Sequence, residues 1–486
     1  MSIINIDELL VYYEHIWSNA IVSYPERPLR LVDIKRVVND GQLVFVPSQE
    51  DLNYCTISYT WLTAKRNKNS QYLLEQVSPF TVEGLISALH VCHELGHEYL
   101  WIDALCIDQR RTSKEKQREI PNMGKYYRGA SECVIFPDGL HLNADILPES
   151  KLPRWFYRSW TLQEFILSRK RTFIFNANAR IVFGYNTVGG QITGHIIHTR
   201  FGQCISIDSY FLTWLLTLVP SIQTGPIPLK TDVSQWKEIK RESLFMLEVD
   251  CSRKSDILQR AMFRQSKYEE DKVYSILSVF DHVKIDVQYG IGLQEVLRRL
   301  ATVVTNEELA YMLLTNWFST NHSDTSSADI SALPTFERQT SGFWFKMGEV
   351  CARCKYIRSE GVHISTKIMR CQLRITGICT NDLYGGLTIT SDLDIQAIEL
   401  TTSVGIIVAY GRCLYDASDL ILVVIGEVQS IDSILTGPGH FPETPFYCLI
   451  CEEKENKKLR KVGMCICVFD NIDENRALIQ SNVLLG

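Results

Sequence analysis

A chain of 486 residues, 45% hydrophobic and 22% charged, carries enough apolar material for two or three ordinary buried cores. A formal net charge of -6, with 50 basic against 56 acidic side chains, argues against a general nucleic-acid binder, whose footprint is a basic stripe. The most apolar stretches, Phe211 to Val219 and Leu420 to Ile425, are far shorter than the roughly 20 residues that cross a bilayer. The opening MSIINIDELLVYYEHIW lacks the basic start and long apolar run of a secretory signal. Fifteen cysteines in such a chain read as reduced thiols. The expectation is a cytoplasmic protein with no membrane and no nucleic-acid partner.

In chain order, residues 1–46 form a lead-in holding the phrase RPLRLVDI and a strand-like LVFV. Tyr54 to Tyr59 alternates as a strand does. Thr81 to Leu95 reads as a helix: Val82, Leu85, Ile86 and Leu89 recur at helical spacing and Gly96 stands where a C-terminal cap belongs. Tyr99 to Ile102 is a short apolar strand, and Ser113 to Arg128 a helix kinked or split by Pro121. Cys133 to Phe136 is a strand, Arg158 to Ser168 a helix and Thr172 to Phe175 a strand. This alternation predicts an α/β domain over 47–200 built on a mostly parallel sheet with helices on both faces. A mainly helical region follows over 201–318, including Lys272 to Phe280 and Leu293 to Val304. The polar stretch at Ser319 to Ser331 marks a linker or long loop over 319–342. Apolar strand-like runs, Leu420 to Ile425, Phe446 to Cys451 and Val462 to Phe469, then predict a β-rich C-terminal domain over 343–486, with a hairpin loop at Glu452 to Leu459.

Four phrases fall in a fixed order: CTISYTW (Cys55 to Trp61), YLWIDALCIDQ (Tyr99 to Gln109), YYRGASECVIF (Tyr126 to Phe136) and RSWTLQEFILS (Arg158 to Ser168). This set resembles the fungal heterokaryon-incompatibility (HET) domain, strongly over residues 25–180. A segment similar to one that often follows that domain, EEDKVYSILSVF with VQYGIG, lies within the weaker resemblance over 240–310. Two departures stand out: Leu62 where the family usually has glycine, and Pro121 inside a helix usually unbroken. The W-x-x-x-E spacing of Trp160 and Glu164, four apart and so on one helix face, is similar to that of the Toll/interleukin-receptor (TIR) domain. The resemblance therefore implies a TIR/flavodoxin-like sheet and a role in fungal non-self recognition and regulated cell death. It also implies a nucleosidase acting on NAD as substrate, with no resident cofactor or metal. Glu164 would be the catalytic carboxylate, steadying an oxocarbenium-like transition state as the bond to nicotinamide breaks.

Read from the residues alone, Leu162, Phe165 and Ile166 make the apolar stripe of that helix, and Glu164 points away from it, toward solvent or a cleft. The plainer alternative is a surface or capping charge paired with an arginine. Asp103, Asp108 and Gln109 follow a strand end, where open α/β sheets bind ligands, and either contact sugar hydroxyls or cap and tie a loop. Ser58, Tyr59 and Trp61 at the end of the first strand, with Arg158 and Trp160, complete the cleft candidates, packing being their alternative role. Trp101 and Cys106 read as packing residues. At the level of function, the alternative is a non-catalytic module that self-associates or binds a signalling partner; the TIR likeness also implies a homo-oligomer.

Two phrases invite metal readings. His93-Glu94-Leu95-Gly96-His97 is a literal H-E-x-x-H, a remote zinc metalloprotease signature, but Gly96 should end the helix before the second histidine. The C-x-x-C pairs Cys351/Cys354 and Cys448/Cys451 could pool into a zinc site, yet residues three apart on a strand face opposite sides. Neither a phosphate-binding G-x-x-x-x-G-K-[ST] loop nor a G-x-S-x-G elbow is present.

Overall fold

The computed structural model describes residues 3–5, 26–61, 80–108, 114–137, 139–140, 154–176, 195–199, 202–209, 254, 257, 261, 264–280, 282–314, 347–379, 395–403, 405–413, 417–428, 446–467 and 478–485. The chain forms two compact units. The first comprises residues 1–251 together with 264–267 and 274–281; the second comprises 252–263, 268–273 and 282–486.

The described strands of the first unit make one sheet: β1 (Ile3–Asn5), β2 (Arg30–Asp33), β3 (Gln42–Pro47), β4 (Cys55–Tyr59), β5 (Tyr99–Trp101), β6 (Glu132–Phe136), β7 (Arg171–Asn176), β8 (His195–Thr199) and β9 (Gly202–Asp208). Their order is β1-β3-β2-β5-β4-β6-β7-β9-β8. The middle four, β5-β4-β6-β7, run parallel. The four strands foreseen from the alternation are thus parallel, as expected, while every other described pairing is antiparallel and makes the whole sheet a parallel centre with antiparallel flanks. The reason is connection length. A parallel crossover takes a dozen or more residues, whereas β8 and β9 are joined by two, and β2 and β3 by α1 (Ile34–Asp40) and Gly41 at φ +66°. All of β4 is buried, as expected of a strand covered on both faces.

The helices follow the sequence closely. Thr81 caps α2 (Val82–Glu94) through its side chain to the Gly84 N–H. At the other end Gly96 has φ +87°, with its N–H on the His93 carbonyl and that of His97 on the Cys92 carbonyl. This paired arrangement is the glycine stop that the sequence predicts. Around Pro121 the next helix splits into α4 (Lys114–Glu119), a 3₁₀ turn (Ile120–Asn122) and α5 (Met123–Gly129), with the short α3 (Asp103–Cys106) before them. Then comes α6 (Ser159–Leu167). Trp101 is fully buried, edge-on to Tyr126 and Tyr127 at 5.5 and 5.4 Å, and Cys106 is buried beside it in the chain, both as packing residues.

Two stretches differ from the helical expectation over 201–318. Gly202–Asp208 is strand β9, because its backbone pairs antiparallel with β7 from Cys204 to Asp208 and extends the sheet there. Lys272 to Phe280 breaks into a helical turn (Asp271–Tyr274) and a 3₁₀ turn (Leu277–Val279) rather than one helix. The second turn packs so closely on α5 that a Cβ placed on Gly124 would lie 2.1 Å from the Ser278 Cβ. Only glycine fits there.

The second unit holds α7 (Leu293–Val303), α8 (Asn306–Leu314) and strands β10 (Met347–Val350), β11 (Arg353–Ile357), β12 (Gly361–Cys379), β13 (Ile395–Thr402), β14 (Gly405–Cys413), β15 (Ala417–Val428), β16 (Phe446–Glu453), β17 (Leu459–Cys467) and β18 (Ile479–Leu485). The β-rich expectation holds, and the Lys454–Lys458 turn closes the foreseen hairpin. The linker expected at 319–342 lies outside the described residues. Around the ring β12-β15-β16-β17-β14-β13 each strand pairs antiparallel with the next and β13 returns to β12, closing a barrel. Its core is filled by inward residues such as Met369, Leu373, Leu400, Leu422, Ile450 and Val462.

Lys461 on β17 is 3% exposed and its Nζ donates to the Leu313 carbonyl of α8 at 2.7 Å. Burial pulls its pKa from 10.5 down to about 7. The unfolded state then binds the extra proton between those values, so stability rises with pH across that window and is lowest at and below pH 7. Lys461→Met is expected to raise stability at pH 7 by about 2 kcal/mol, the relieved penalty less the unpaired Leu313 carbonyl. It should also flatten the pH dependence, read by urea melts at pH 7 and pH 10.

Candidate functional site

The site assembles at the carboxyl ends of β4 and β5. The chain visits the four parallel strands so that the second and first lie beside the third and fourth, which reverses direction between β4 and β6. Ligands of open α/β sheets bind at such a reversal, beyond the strand ends.

Ser58, near the end of β4, is buried. Its Oγ donates to Glu164 Oε2 at 2.5 Å and accepts from Trp155 Nε1 at 2.7 Å. Glu164 therefore does not face solvent or an open cleft, as its spacing suggested; it is 6% exposed. The helix α6 is buried on more than its apolar stripe, with Ser159, Thr161 and Gln163 also covered, so it has no free polar face for a carboxylate. Burial, and next the charge of Asp103, push the Glu164 pKa up to about 8, against Ser58, Arg158 and Tyr127, which pull it down. At neutral pH this carboxyl holds its proton. Nor is it the surface charge of the plainer alternative.

Asp103 opens α3 immediately beyond β5. Its Oδ1 accepts the Ala104 N–H at 2.7 Å and its Oδ2 accepts Trp61 Nε1 at 3.0 Å. Half-buried, it has a raised pKa, chiefly through burial. Asp103 thus joins the exit of β4 to the exit of β5, the loop-tying role. Tyr59, also buried, favours the charged form of the same carboxyl. Ser58, Tyr59, Trp61, Asp103, Arg158 and Glu164 form one connected group, and the Arg158 charge acts on both carboxyls.

Asp108 is tied through its backbone to a second arrangement. It is buried, and its backbone N–H donates to Glu115 Oε1 at 3.2 Å. Glu115 is gripped at both oxygens, 2.8 Å each, by Arg30 from the lead-in phrase, and Arg30 also reaches the Cys106 carbonyl at 3.2 Å. Gln109 lies outside the described residues. Trp160 is half-buried on α6.

Three positioning residues were not foreseen. Trp155 supplies the indole that holds Ser58. Arg264, 2% exposed, donates to the carbonyls of Trp155 and Arg158 and to Thr161 Oγ1, clamping the start of α6. Gln265 bonds the same turn through its backbone, its carbonyl taking the Ser159 N–H at 2.9 Å. Trp155 had a signal in its nearness to RSWTLQE. Arg264 had none, standing over a hundred residues downstream.

The metal readings meet other partners. His97, beyond Gly96, places Nε2 3.1 Å from Glu132 Oε2. That carboxylate is buried, yet hydrogen bonds from His97, Lys170 and Thr172 overcome burial and hold its pKa down to about 2. His93 pairs at 3.9 Å with its neighbour Glu94. Cys351 is exposed while Cys354 is buried, and Cys448 faces the barrel core while Cys451 does not. Among the described residues no group of three or more His, Cys, Asp or Glu is arranged to hold a metal ion. Among them, too, no helix is long and apolar enough to cross a membrane.

Comparison with known proteins adds a family likeness. The chain is 28% identical over 272 residues to the vegetative incompatibility protein HET-E-1 of Podospora anserina, an alignment covering 54% of this chain and 17% of that protein. The chain thus spans less than a fifth of that relative's length. No solved structure matches it. Residues 54–144, which carry Ser58, Tyr59, Trp61, Asp103 and Asp108 but stop short of Arg158, Trp160 and Glu164, match the family model of the heterokaryon incompatibility protein (HET).

Proposed function

We propose that this chain acts in fungal heterokaryon incompatibility as a cytoplasmic signalling protein of non-self recognition and regulated cell death. Its first unit works by binding, to a second copy or to a partner protein, rather than by catalysis. The observation that carries this reading is the setting of Glu164: it is buried and hydrogen-bonded to Ser58, and burial pushes its pKa up to about 8, toward the neutral form. A neutral carboxyl offers no charge to a cationic transition state.

A second reading, a TIR-like NAD nucleosidase, is favoured by one observation. Two carboxyls, Asp103 and Glu164, act on each other electrostatically near the carboxyl ends of parallel strands, with raised pKa values of the kind found at functional sites. The strand order at the sheet centre also supports a TIR/flavodoxin-like architecture. In this reading the Trp61–Asp103 bond opens, ribose hydroxyls take the place of the indole on Asp103, and Glu164 ionises beside the sugar.

The test is NAD content, measured with purified chain and in cells expressing it. The binding reading expects NAD unchanged and the cellular effect of the chain retained in Glu164→Gln. NAD loss by wild type that disappears in a folded Glu164→Gln variant would sink it in favour of the nucleosidase.

A further inference from the structure

The inner wall of the barrel contains a feature that neither reading uses. Side chains of a barrel strand alternate between core and exterior, and on β16 and β17 this alternation sends Cys448, Cys465 and Cys467 inward. All three are fully buried. Cys448 lies directly across from Cys465 in the β16–β17 register, and the Sγ atoms of Cys465 and Cys467 are 3.4 Å apart. The neighbouring Cys448 and Cys465 thiols favour a thiolate at Cys467 against the opposing effect of burial. A cavity of about 130 Å³ adjoins this core. Its wall includes Val424 and Leu478 from the barrel interior, Phe446 packed on that interior, and the exposed Cys351.

We propose that Cys448, Cys465 and Cys467 form a three-thiol site that a peroxide of hydrogen peroxide's size, entering by this cavity, converts to a Cys448–Cys465 disulfide. The Cys467 thiolate attacks one peroxide oxygen. The O–O bond breaks, Cys467 becomes a sulfenic acid, and the departing hydroxide takes up a proton as water. The neighbouring Cys465 sulfur then attacks the sulfenic sulfur and a second water leaves, giving a transient Cys465–Cys467 disulfide. Residues two apart on one strand are about 6.6 Å apart at Cα, at the limit for such a bond, whereas directly opposed residues lie about 4.5–5.5 Å apart, within it. Cys448 therefore displaces Cys467, the most acidic thiol and the best leaving group. Two thiols and one peroxide yield one disulfide and two waters. The product ties β16 to β17 across the inner wall.

The experiment treats the full chain with one equivalent of hydrogen peroxide at pH 7. The reaction is quenched, remaining thiols are alkylated under denaturing conditions, and peptides are mapped by mass spectrometry. The expected product is a Cys448–Cys465 linked peptide two hydrogens lighter than the separate peptides, with Cys467 recovered as a free thiol and dithiothreitol reversing the link. Cys467→Ala should slow linkage by about tenfold or more, since the attack on peroxide begins there. In Cys448→Ala, dimedone should trap Cys467, or the Cys465–Cys467 link should persist. Recovery of all three thiols as free while Cys351 is oxidised would overturn the proposal. So would linkage that forms only in urea-unfolded chain, or an unchanged rate in Cys467→Ala; the wild-type map and Cys467→Ala decide the matter even if Cys448→Ala does not fold.

Discussion

Glu164→Gln is expected to stabilise the first unit at pH 8 and to remove most of its pH dependence between about pH 4.5 and 8. The folded pKa of Glu164 is raised to about 8 from 4.5, by burial first and by Asp103 second. Between those values the folded state binds the extra proton, so stability is fully present at low pH and is lost as pH rises toward 8. Each pH step of one across this window removes about 1.4 kcal/mol, so ionising the group costs up to ~5 kcal/mol at the top. Glutamine keeps the shape, presents a carbonyl to the Ser58 hydroxyl and never ionises. A net gain of about 3 kcal/mol at pH 8 and almost none at pH 4.5 follows. Urea melts at pH 5, 6.5 and 8 would measure it, with the fluorescence of Trp155, bonded to the same Ser58 oxygen, among the signals. A variant that is less stable than wild type and keeps the same pH slope would mean that Glu164 is ionised in the folded chain. This measurement is independent of NAD, so it separates a structural role for the carboxyl from a catalytic one.

The second large effect is expected at Arg30. Arg30 is 2% exposed and binds both oxygens of Glu115, while the Cys106 carbonyl takes a third hydrogen bond. Arg30→Met should destabilise the first unit by about 3–5 kcal/mol, because it strands a carboxylate and leaves a buried carbonyl without that donor. Adding Glu115→Leu should recover most of the loss, since replacing both partners removes the uncompensated charge. A double-mutant cycle read by chemical denaturation gives the coupling. A cost under about 1 kcal/mol for Arg30→Met would show that the pair is not what holds the segment from Asp103 to Glu115 on β2. The consequence for the site is direct. Glu115 also receives the Asp108 N–H, so the pair anchors the whole acidic turn that carries Asp103.

Arg30 ties the lead-in phrase RPLRLVDI to the segment around the second motif, far from it in the chain. Its arginine is the distant half of an ion pair whose near half lies in the helix after the second motif. Such a pairing is invisible in spacing, because Arg30 and Glu115 are separated by 85 positions. The reach of Arg264 into the start of α6 is the same kind of fact. Both arginines are buried by segments that no periodicity connects to them. The barrel shows a parallel case. Three of its strands, β15 to β17, were readable as apolar runs, yet its closure depends on the pairing of β12 with β15, two strands about fifty residues apart.

By itself, the amino-acid order determined several elements of the first unit, those from β4 to β7. Helical spacing with Thr81 and Gly96 delimits α2, Pro121 splits the next helix, and short apolar runs mark β4 to β7. It also determined that the H-E-x-x-H phrase would end a helix, since glycine readily takes the positive φ that such a stop requires. Only the tertiary structure decided that Glu164 faces inward with a raised pKa, that the Asp108 backbone N–H meets the Arg30–Glu115 pair, and that three thiols meet inside a closed barrel. The physical reason is that local periodicity marks the face an element must bury. Burial of the other face comes from remote segments, whose arrival depends on chain closure and packing rather than on neighbouring residues.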